Sequence, residues 1–224
     1  NASGQKCSAQ SILFVHDNWA ESLLPKLGEL AARRRVDELT IGPVLTWTNE
    51  RIRRHIDGML TVPGSEVLFG GSPLQDHSIP PCYGAYQPTA VRVPLQALSN
   101  DHFERITTEL FGPFQVVVSY GDGDLHTVLE ALERISHHLT AAVVSADPEF
   151  QEQVLGATVN GTTYCGLRAR TTAAPQNHWF GPCGDPRAAG IGTPEAIIAT
   201  WSGHREIIMD QGSLEAGWSL PPSC

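Results

Sequence analysis

A cysteine stands near the start of the chain, in the segment Gly4-Gln-Lys-Cys7-Ser-Ala. A thiolate is a strong nucleophile, and a neighbouring cation favours that ionised form of the thiol. Lys6 supplies such a cation, and Gly4 permits a tight backbone turn ahead of the sulfur. These features indicate a nucleophilic Cys7, although the residues alone leave open a buried structural cysteine.

The elements that must position this cysteine follow it directly. Residues 11–16 form a short, mostly apolar run, which predicts a buried strand. Asp17 and Asn18 are good N-cap residues, and the leucine spacing after them predicts an amphipathic helix over residues 19–33. The cysteine is therefore expected just before a strand that leads into a helix.

Strands and helices continue to alternate along the chain. Helices are predicted at 49–60 with Thr48 as cap, at 125–138 with a cap in the turn 121–124, at 148–155 with Asp147 as cap, and from Thr193 onward. Strands are predicted at 66–69, 88–93, 114–119, 140–145, within 158–168 and at 205–209. This alternation favours a three-layer α/β domain around a largely parallel sheet, over residues 1–212, with 213–224 as an irregular tail.

Composition excludes several functions. A net charge of −9 argues against a nucleic-acid partner, because phosphate binding needs a basic surface. The chain has no apolar run of about 18 residues that could span a membrane. Its five cysteines form no CxxC pair, which favours free thiols over disulfides, and its nine histidines show no metal-binding spacing. We therefore expect no metal.

Several segments resemble one family in the same order. The segment Gly4 to Ala9 resembles the nucleophile motif of the aldehyde dehydrogenase superfamily, and Glu109-Leu-Phe-Gly-Pro113 is similar to that family's second motif. Gln87-Pro88-Thr89 resembles the strand entry between them, and Phe180-Gly181 with Gly190-Ile-Gly192 takes the place of the closing turns. Gly-Gln-Lys-Cys-Ser-Ala, together with the late segment 171–195, resembles the plant-type branch of delta-1-pyrroline-5-carboxylate dehydrogenases.

The resemblance implies roles in chemistry with NAD. Cys7 would attack the aldehyde carbonyl and form a thiohemiacetal, with the Cys7 backbone N–H as a donor to the oxyanion. Glu109 would accept hydrogen bonds from the nicotinamide ribose hydroxyls of NAD, and Phe111 would pack beside the nicotinamide. The open alternatives are a surface acid and a core aromatic.

The same branch implies a substrate, L-glutamate 5-semialdehyde, which is oxidised to glutamate in proline breakdown. Ser8 would then help to bind the substrate carboxylate. Gly190 is the best candidate to offer a backbone N–H to the other end of the substrate, because a residue without a Cβ allows close approach to an anion. Phe180 would wall the substrate pocket, or would be a structural aromatic.

The resemblance also places the dinucleotide-binding domain and the glutamate that activates water upstream of Cys7. The chain has no initiating methionine or targeting peptide, so we expect a fragment that is inactive alone. A homo-oligomeric parent in the mitochondrial matrix is implied. The alternatives are a non-catalytic remnant, a different aldehyde specificity, and a cysteine hydrolase that pairs Cys7 with a histidine such as His178.

Overall fold

The computed structural model describes residues 2–171, 178–180, 189–191, 194–195, 198, 202 and 206–207. Its helices are α1 (Asp17–Ala32), α2 (Asn49–Leu60), α3 (Phe103–Thr107), α4 (Leu125–Arg134) and α5 (Pro148–Ala157). Its strands are β1 (Ile12–His16), β2 (Glu66–Phe69), β3 (Thr89–Pro94), β4 (Phe114–Tyr120), β5 (Thr140–Val143), β6 (Thr162–Cys165), β7 (His178–Phe180) and β8 (Ala189–Ile191).

The central sheet has four strands in the order β1-β4-β3-β2. β1 and β3 both run parallel to β4, and β2 closes the sheet antiparallel to β3. The predicted largely parallel α/β sheet is therefore confirmed. β5 pairs with β6 in parallel, and β7 pairs with β8 antiparallel, as two separate two-stranded sheets.

Helices cover both faces of the central sheet, because successive strand residues point to opposite sides. Val117 of β4 packs with Val15 and Ala90 against Leu23 and Leu24 of α1. The residues that flank Val117 in β4 face the other way, into a larger core formed with α2, α3 and α4. The fully or nearly fully buried members of that larger core include Ile52, Met59, Val91, Val93, Leu98, Ile106, Val116 and Val118. The result is the expected three-layer arrangement.

The start of the first helix differs from the prediction. α1 begins at Asp17 rather than Trp19, and its N-cap is His16, whose Nδ1 accepts a hydrogen bond from the Asn18 backbone N–H at 3.3 Å. A histidine ring thus takes the place of the predicted Asp17 and Asn18 caps. The chain can pass directly from β1 into α1 because the cap is the last strand residue.

The end of the fourth helix differs as well. The apolar spacing predicts a helix to His138, but α4 ends at Arg134. His137 and His138 both have positive φ, which a right-handed helix does not allow. At the other end, Asp124 makes no side-chain cap bond to the helix and instead accepts from the Gly121 backbone N–H at 3.1 Å.

The other helix starts follow the sequence closely. Thr48 caps α2 by accepting from the Arg51 backbone N–H, and Asp147 caps α5 in the same way with Pro148 in the first turn. Residues 194, 195 and 198 are helical, as predicted after Thr193, whereas 206 and 207 lie in no strand, against the strand predicted at 205–209. The rest of that range and the proposed tail 213–224 lie outside the described residues. None of the described helices has the length and apolar content to cross a bilayer.

Candidate active site

Three of the family-like segments meet at one edge of the central sheet. Cys7 precedes β1, Gln87-Pro88 precedes β3, and Glu109 to Pro113 precedes β4. Since these three strands are parallel and adjacent, their amino ends lie at the same edge. The Val116 N–H donates to the Ser11 carbonyl at 2.9 Å, which extends the pairing of β4 back towards the cysteine. The sheet therefore brings the cysteine segment and the acidic segment side by side.

The two turns touch through their backbones. Gly4 has φ +76°, and a Cβ atom built on it would lie 1.9 Å from the Gly112 carbonyl oxygen. Gly112 in turn accepts a hydrogen bond from Phe114 N–H at 2.8 Å, while Pro113 accepts one from Thr89 N–H. Glycine is required at position 4 for two reasons, a left-handed backbone and the absence of a side chain facing the second turn.

Cys7 lies exposed at the tip of its turn. A 2.8 Å hydrogen bond from Ala9 N–H to the Lys6 carbonyl closes the turn around it. Among the described residues, neither the Cys7 thiol nor its backbone N–H has a hydrogen-bond partner. The open alternative of a buried structural cysteine is therefore wrong, and a reagent can reach the sulfur together with an unused N–H donor.

Ser8 is the buried neighbour of the exposed thiol, with 3% of its surface accessible. Its hydroxyl has no hydrogen-bond partner in the part of the chain that the structure describes. The Ser8 oxygen is not among the fully enclosed side-chain atoms that lack a partner in the described residues, so it keeps some access from outside although the residue is buried. The Ser8 hydroxyl is thus available to an external group that reaches the base of the Cys7 turn.

Glu109 lies at the surface, beside a shallow cavity lined by Ser11, Thr107 and Phe114. Although the residue is exposed overall, desolvation by the surrounding protein raises the pKa of its carboxyl group, and the charge of His137 partly opposes this rise. It has no salt bridge within the described residues. Phe111, two residues further on, is half-buried. The arrangement leaves a carboxylate whose oxygens can accept from hydroxyl donors.

The two residues expected from the late segment lie in the β7–β8 hairpin. Trp179 pairs with Gly190 and Phe180 with Ala189 in the antiparallel register. The side chains of these strands, including that of His178, lie outside the described residues, so the roles of Phe180 and Gly190 and the hydrolase alternative stay untested. No group of histidine, cysteine and carboxylate side chains suited to a metal ion occurs among the described residues.

Sequence reasoning missed how the cysteine turn is held. The Gln5 side chain forms two 2.8 Å hydrogen bonds with the backbone of residues 43–45, and the Ser3 hydroxyl accepts from Gly42 N–H at 2.8 Å. These partners lie 38 to 40 residues away in sequence. The one signal in the sequence is an amide residue two places before Cys7, and an amide by itself does not identify its partner.

The fold and the exposed thiol define an α/β domain with a free cysteine at the amino edge of a mostly parallel sheet. The sequence model described as the aldehyde dehydrogenase family matches residues 1–189. The chain belongs to this family.

Curated relatives fall in the same family. The chain is 61% identical over 99% of its length to delta-1-pyrroline-5-carboxylate dehydrogenase 12A1, mitochondrial, from Arabidopsis thaliana, and it covers 40% of that protein. It is equally similar, 61% over 99%, to a protein of Linum usitatissimum named as a probable aldehyde dehydrogenase, again covering 40%. The chain thus spans about two fifths of the length of these relatives.

Solved structures share the fold at lower identity. The NAD+ complex of an aldehyde dehydrogenase from Bacillus cereus superimposes with a TM-score of 0.68 at 21% identity, over 90% of this chain and 39% of that one. Aldehyde dehydrogenase 21 from Physcomitrella patens, in complex with the reaction product succinate, gives a TM-score of 0.60 at 16% identity, over 80% of this chain and 35% of that one.

Proposed function

We propose that the protein carrying this chain oxidises L-glutamate 5-semialdehyde to glutamate with NAD as the hydride acceptor. The observation that carries the proposal is the 61% identity, over 99% of the chain, to a plant delta-1-pyrroline-5-carboxylate dehydrogenase. Because the chain spans only 40% of that relative, the activity is proposed for the whole protein. A mitochondrial location and a homo-oligomeric assembly are part of the same proposal.

The Cys7 thiolate is the nucleophile in the proposed reaction. Its sulfur forms a bond to the aldehyde carbon, and the carbonyl π electrons move to the oxygen. The unused Cys7 N–H is suited to stabilise this oxyanion, because a preorganised backbone donor needs no rearrangement when the charge develops. Collapse of the oxyanion expels a hydride and leaves a thioester, which water cleaves to release glutamate and the thiol.

Glu109 and Phe111 are the proposed contacts to the cofactor in this chain. NAD, when bound, supplies the acceptor for the hydride. An exposed carboxylate can accept two hydrogen bonds from a pair of ribose hydroxyls, and Glu109 has no salt bridge within the described region to compete for it. The half-buried ring of Phe111 offers an apolar face beside that position.

Ser8 is the proposed contact to the substrate carboxylate, with Gly190 and Phe180 as the proposed contacts from the late segment. The support for Ser8 is its burial next to an exposed thiol and its lack of a partner within the described region. A hydroxyl that donates to a carboxylate forms a charge-assisted bond, worth about 1.5–3 kcal/mol. Such a bond would distinguish the semialdehyde from a simple aliphatic aldehyde.

The test compares aldehydes in the enzyme that contains this chain. The semialdehyde is expected to have a higher kcat/KM than aliphatic aldehydes of similar length, Cys7→Ala is expected to abolish activity, and Ser8→Ala is expected to raise the KM for the semialdehyde about 10- to 100-fold. Ser119→Ala is the matched control, since it removes a buried hydroxyl that also has no partner but lies within β4.

Two outcomes would overturn the substrate assignment. One is a clear preference for aliphatic aldehydes. The other is a semialdehyde KM that Ser8→Ala and Ser119→Ala leave equally unchanged. The Ser119 control separates a loss of substrate contact from a general effect of removing a buried hydroxyl.

A further inference from the structure

The Gln5 side chain pairs with a distant backbone segment through both of its polar atoms. Its Oε1 accepts from the Leu45 backbone N–H at 2.8 Å, and its Nε2 donates to the Pro43 carbonyl at 2.8 Å. Nε2 also approaches the Ala2 carbonyl at 3.3 Å. One primary amide thus satisfies a donor and an acceptor on opposite sides of Val44.

The segment that receives Gln5 is itself firmly held. Val44 is fully buried, and it exchanges two backbone hydrogen bonds with Gly84, at 2.7 and 2.9 Å. Gly42, immediately before the segment, donates to the Ser3 hydroxyl at 2.8 Å. Gln5 therefore anchors the cysteine turn to a part of the core rather than to a mobile surface loop.

Between Gln5 and β1, the contacts to the rest of the chain are the burial of Ser8 and a 3.2 Å hydrogen bond from Gln10 Nε2 to Gln115 Oε1. Lys6 and Cys7 are exposed, and the Lys6–Ala9 bond lies within the turn itself. The tertiary hydrogen bonds of the turn therefore lie at its two ends, from Gln5 on one side and from Gln10 and Ser11 on the other, and neither Lys6 nor Cys7 makes one. A change at Gln5 would thus allow the nucleophile to move while the sheet stays intact.

We propose that Gln5 is a positioning residue, which fixes the direction of the Cys7 sulfur by pairing its amide with the backbone of residues 43–45. The proposal deepens the thiol chemistry proposed above and rests on it. It concerns the nucleophile and is independent of which aldehyde is bound. A reactive sulfur must lie within a few tenths of an ångström of the attack geometry, and a displacement of about 1 Å can reduce the rate about 100-fold.

The amide chemistry makes a sharp test possible. Gln5→Ala removes both hydrogen bonds. Gln5→Glu keeps an oxygen to accept from Leu45 but, when ionised, places a carboxylate oxygen against the Pro43 carbonyl. When the introduced carboxyl is protonated it can donate again, and the original pairing is restored. Only a role that depends on this pairing predicts a rescue by acid.

The experiment measures kcat and KM across pH for Gln5→Ala, Gln5→Glu and the unmodified enzyme, with an aldehyde that the unmodified enzyme oxidises. We expect Gln5→Ala to reduce kcat about 10- to 100-fold at every pH, with KM changed less than about threefold. The kcat of Gln5→Glu relative to unmodified enzyme should be equally low at about pH 8 and should rise towards one as the introduced carboxyl becomes protonated. Gln75→Ala is the matched control, because Gln75 also donates to a proline carbonyl but lies in the loop after β2, and it should leave kcat unchanged.

A kcat of Gln5→Ala within about twofold of the unmodified value would overturn the proposal. So would a Gln5→Glu ratio that does not change with pH. If Gln5→Ala does not fold, the pH dependence of Gln5→Glu decides the question alone. An enzyme that oxidises other aldehydes but not the semialdehyde would refute the substrate and leave this result intact.

Discussion

Replacement of Gly4 by alanine is the most informative single perturbation of the site. Gly4 combines a left-handed backbone, at φ +76°, with direct contact to the Gly112 carbonyl. Gly4→Ala therefore introduces backbone strain and a collision at the same time. The collision separates the cysteine turn from the turn that carries Glu109 and Phe111.

Both effects can be estimated from the structure. A left-handed conformation costs a residue with a Cβ about 1–2 kcal/mol relative to glycine. The new Cβ would lie 1.9 Å from a backbone oxygen, so the two turns must separate by at least 1.1 Å to reach the 3.0 Å that real Cβ contacts require. A displacement of about 1 Å at the nucleophile corresponds to a rate reduced by about 100-fold.

Gly123→Ala is the control that isolates the strain. Gly123 has φ +87° in the turn between β4 and α4, and nothing lies within 4 Å of the position that a Cβ atom would take there. Gly123→Ala should lower the Tm by the backbone strain alone, and Gly4→Ala should lower it further because the collision adds to the strain; only Gly4→Ala should also lose about 100-fold in kcat. If Gly4→Ala lowered the Tm no more than Gly123→Ala does and kept its kcat, the contact between the turns would not matter for catalysis.

Two further predictions concern ionisable groups near the site. The His55 ring lies between Trp47 and Phe114, and burial lowers its pKa. As the pH drops, the unfolded chain therefore binds a proton at this histidine before the folded chain does. The free energy of unfolding should fall as the pH drops below about 6.5. His55→Phe should flatten this dependence in urea titrations, and an unchanged slope would contradict it. Desolvation raises the pKa of Glu109, so its carboxylate is protonated at a higher pH than that of an ordinary glutamate. The KM for NAD should therefore rise as the pH falls through that raised pKa. Glu109→Gln should raise this KM about 10- to 100-fold at neutral pH and remove its dependence on that ionisation, whereas an unchanged KM would exclude Glu109 from the cofactor site.

The elements with strong local signals could be predicted from the sequence. Residues 49–60 carry a threonine cap and a regular apolar spacing, and α2 has those bounds. The strand at 66–69 ends in a glycine pair, Gly70 and Gly71, both with positive φ. In each case the interactions that set the ends of the element lie within a few residues of it, so the local sequence is enough to predict those ends.

Elements decided by backbone conformation or distant contacts could not be predicted in this way. The apolar spacing of α4 continues past Arg134, but the left-handed residues His137 and His138 end the helix. The short helix α3 has only five residues and no clear sequence signal, because its burial at Phe103 and Ile106 depends on the core of other elements. The spacing of apolar residues predicts which face of a helix is buried, but it does not predict the residue at which the helix ends.

The candidate site also has features that could be predicted from the sequence and features that could not. Family resemblance suggests the importance of Cys7 and Glu109, and their proposed roles remain predictions. The contacts that hold these residues could not be predicted from the sequence. Gln5 and Leu45 are 40 residues apart, and Gly4 and Gly112 lie in turns that precede different strands. The parallel pairing of β1 with β4 brings the turns of Gly4 and Gly112 together, whereas the segment around Leu45 meets Gln5 outside the central sheet.

That pairing has a chemical consequence for the proposed reaction. A hydride can pass only between atoms in contact, so in the proposed reaction the carbon bound to Cys7 would have to meet the nicotinamide that Phe111 is proposed to contact. The two residues belong to turns that enter adjacent parallel strands, and the backbone contact of Gly4 with Gly112 fixes the spacing of those turns from within this chain. A side chain at Gly4 would push these turns apart and alter the distance over which the hydride moves, whereas a Cβ at Gly112 would meet Leu110 and Val44 instead of the cysteine turn.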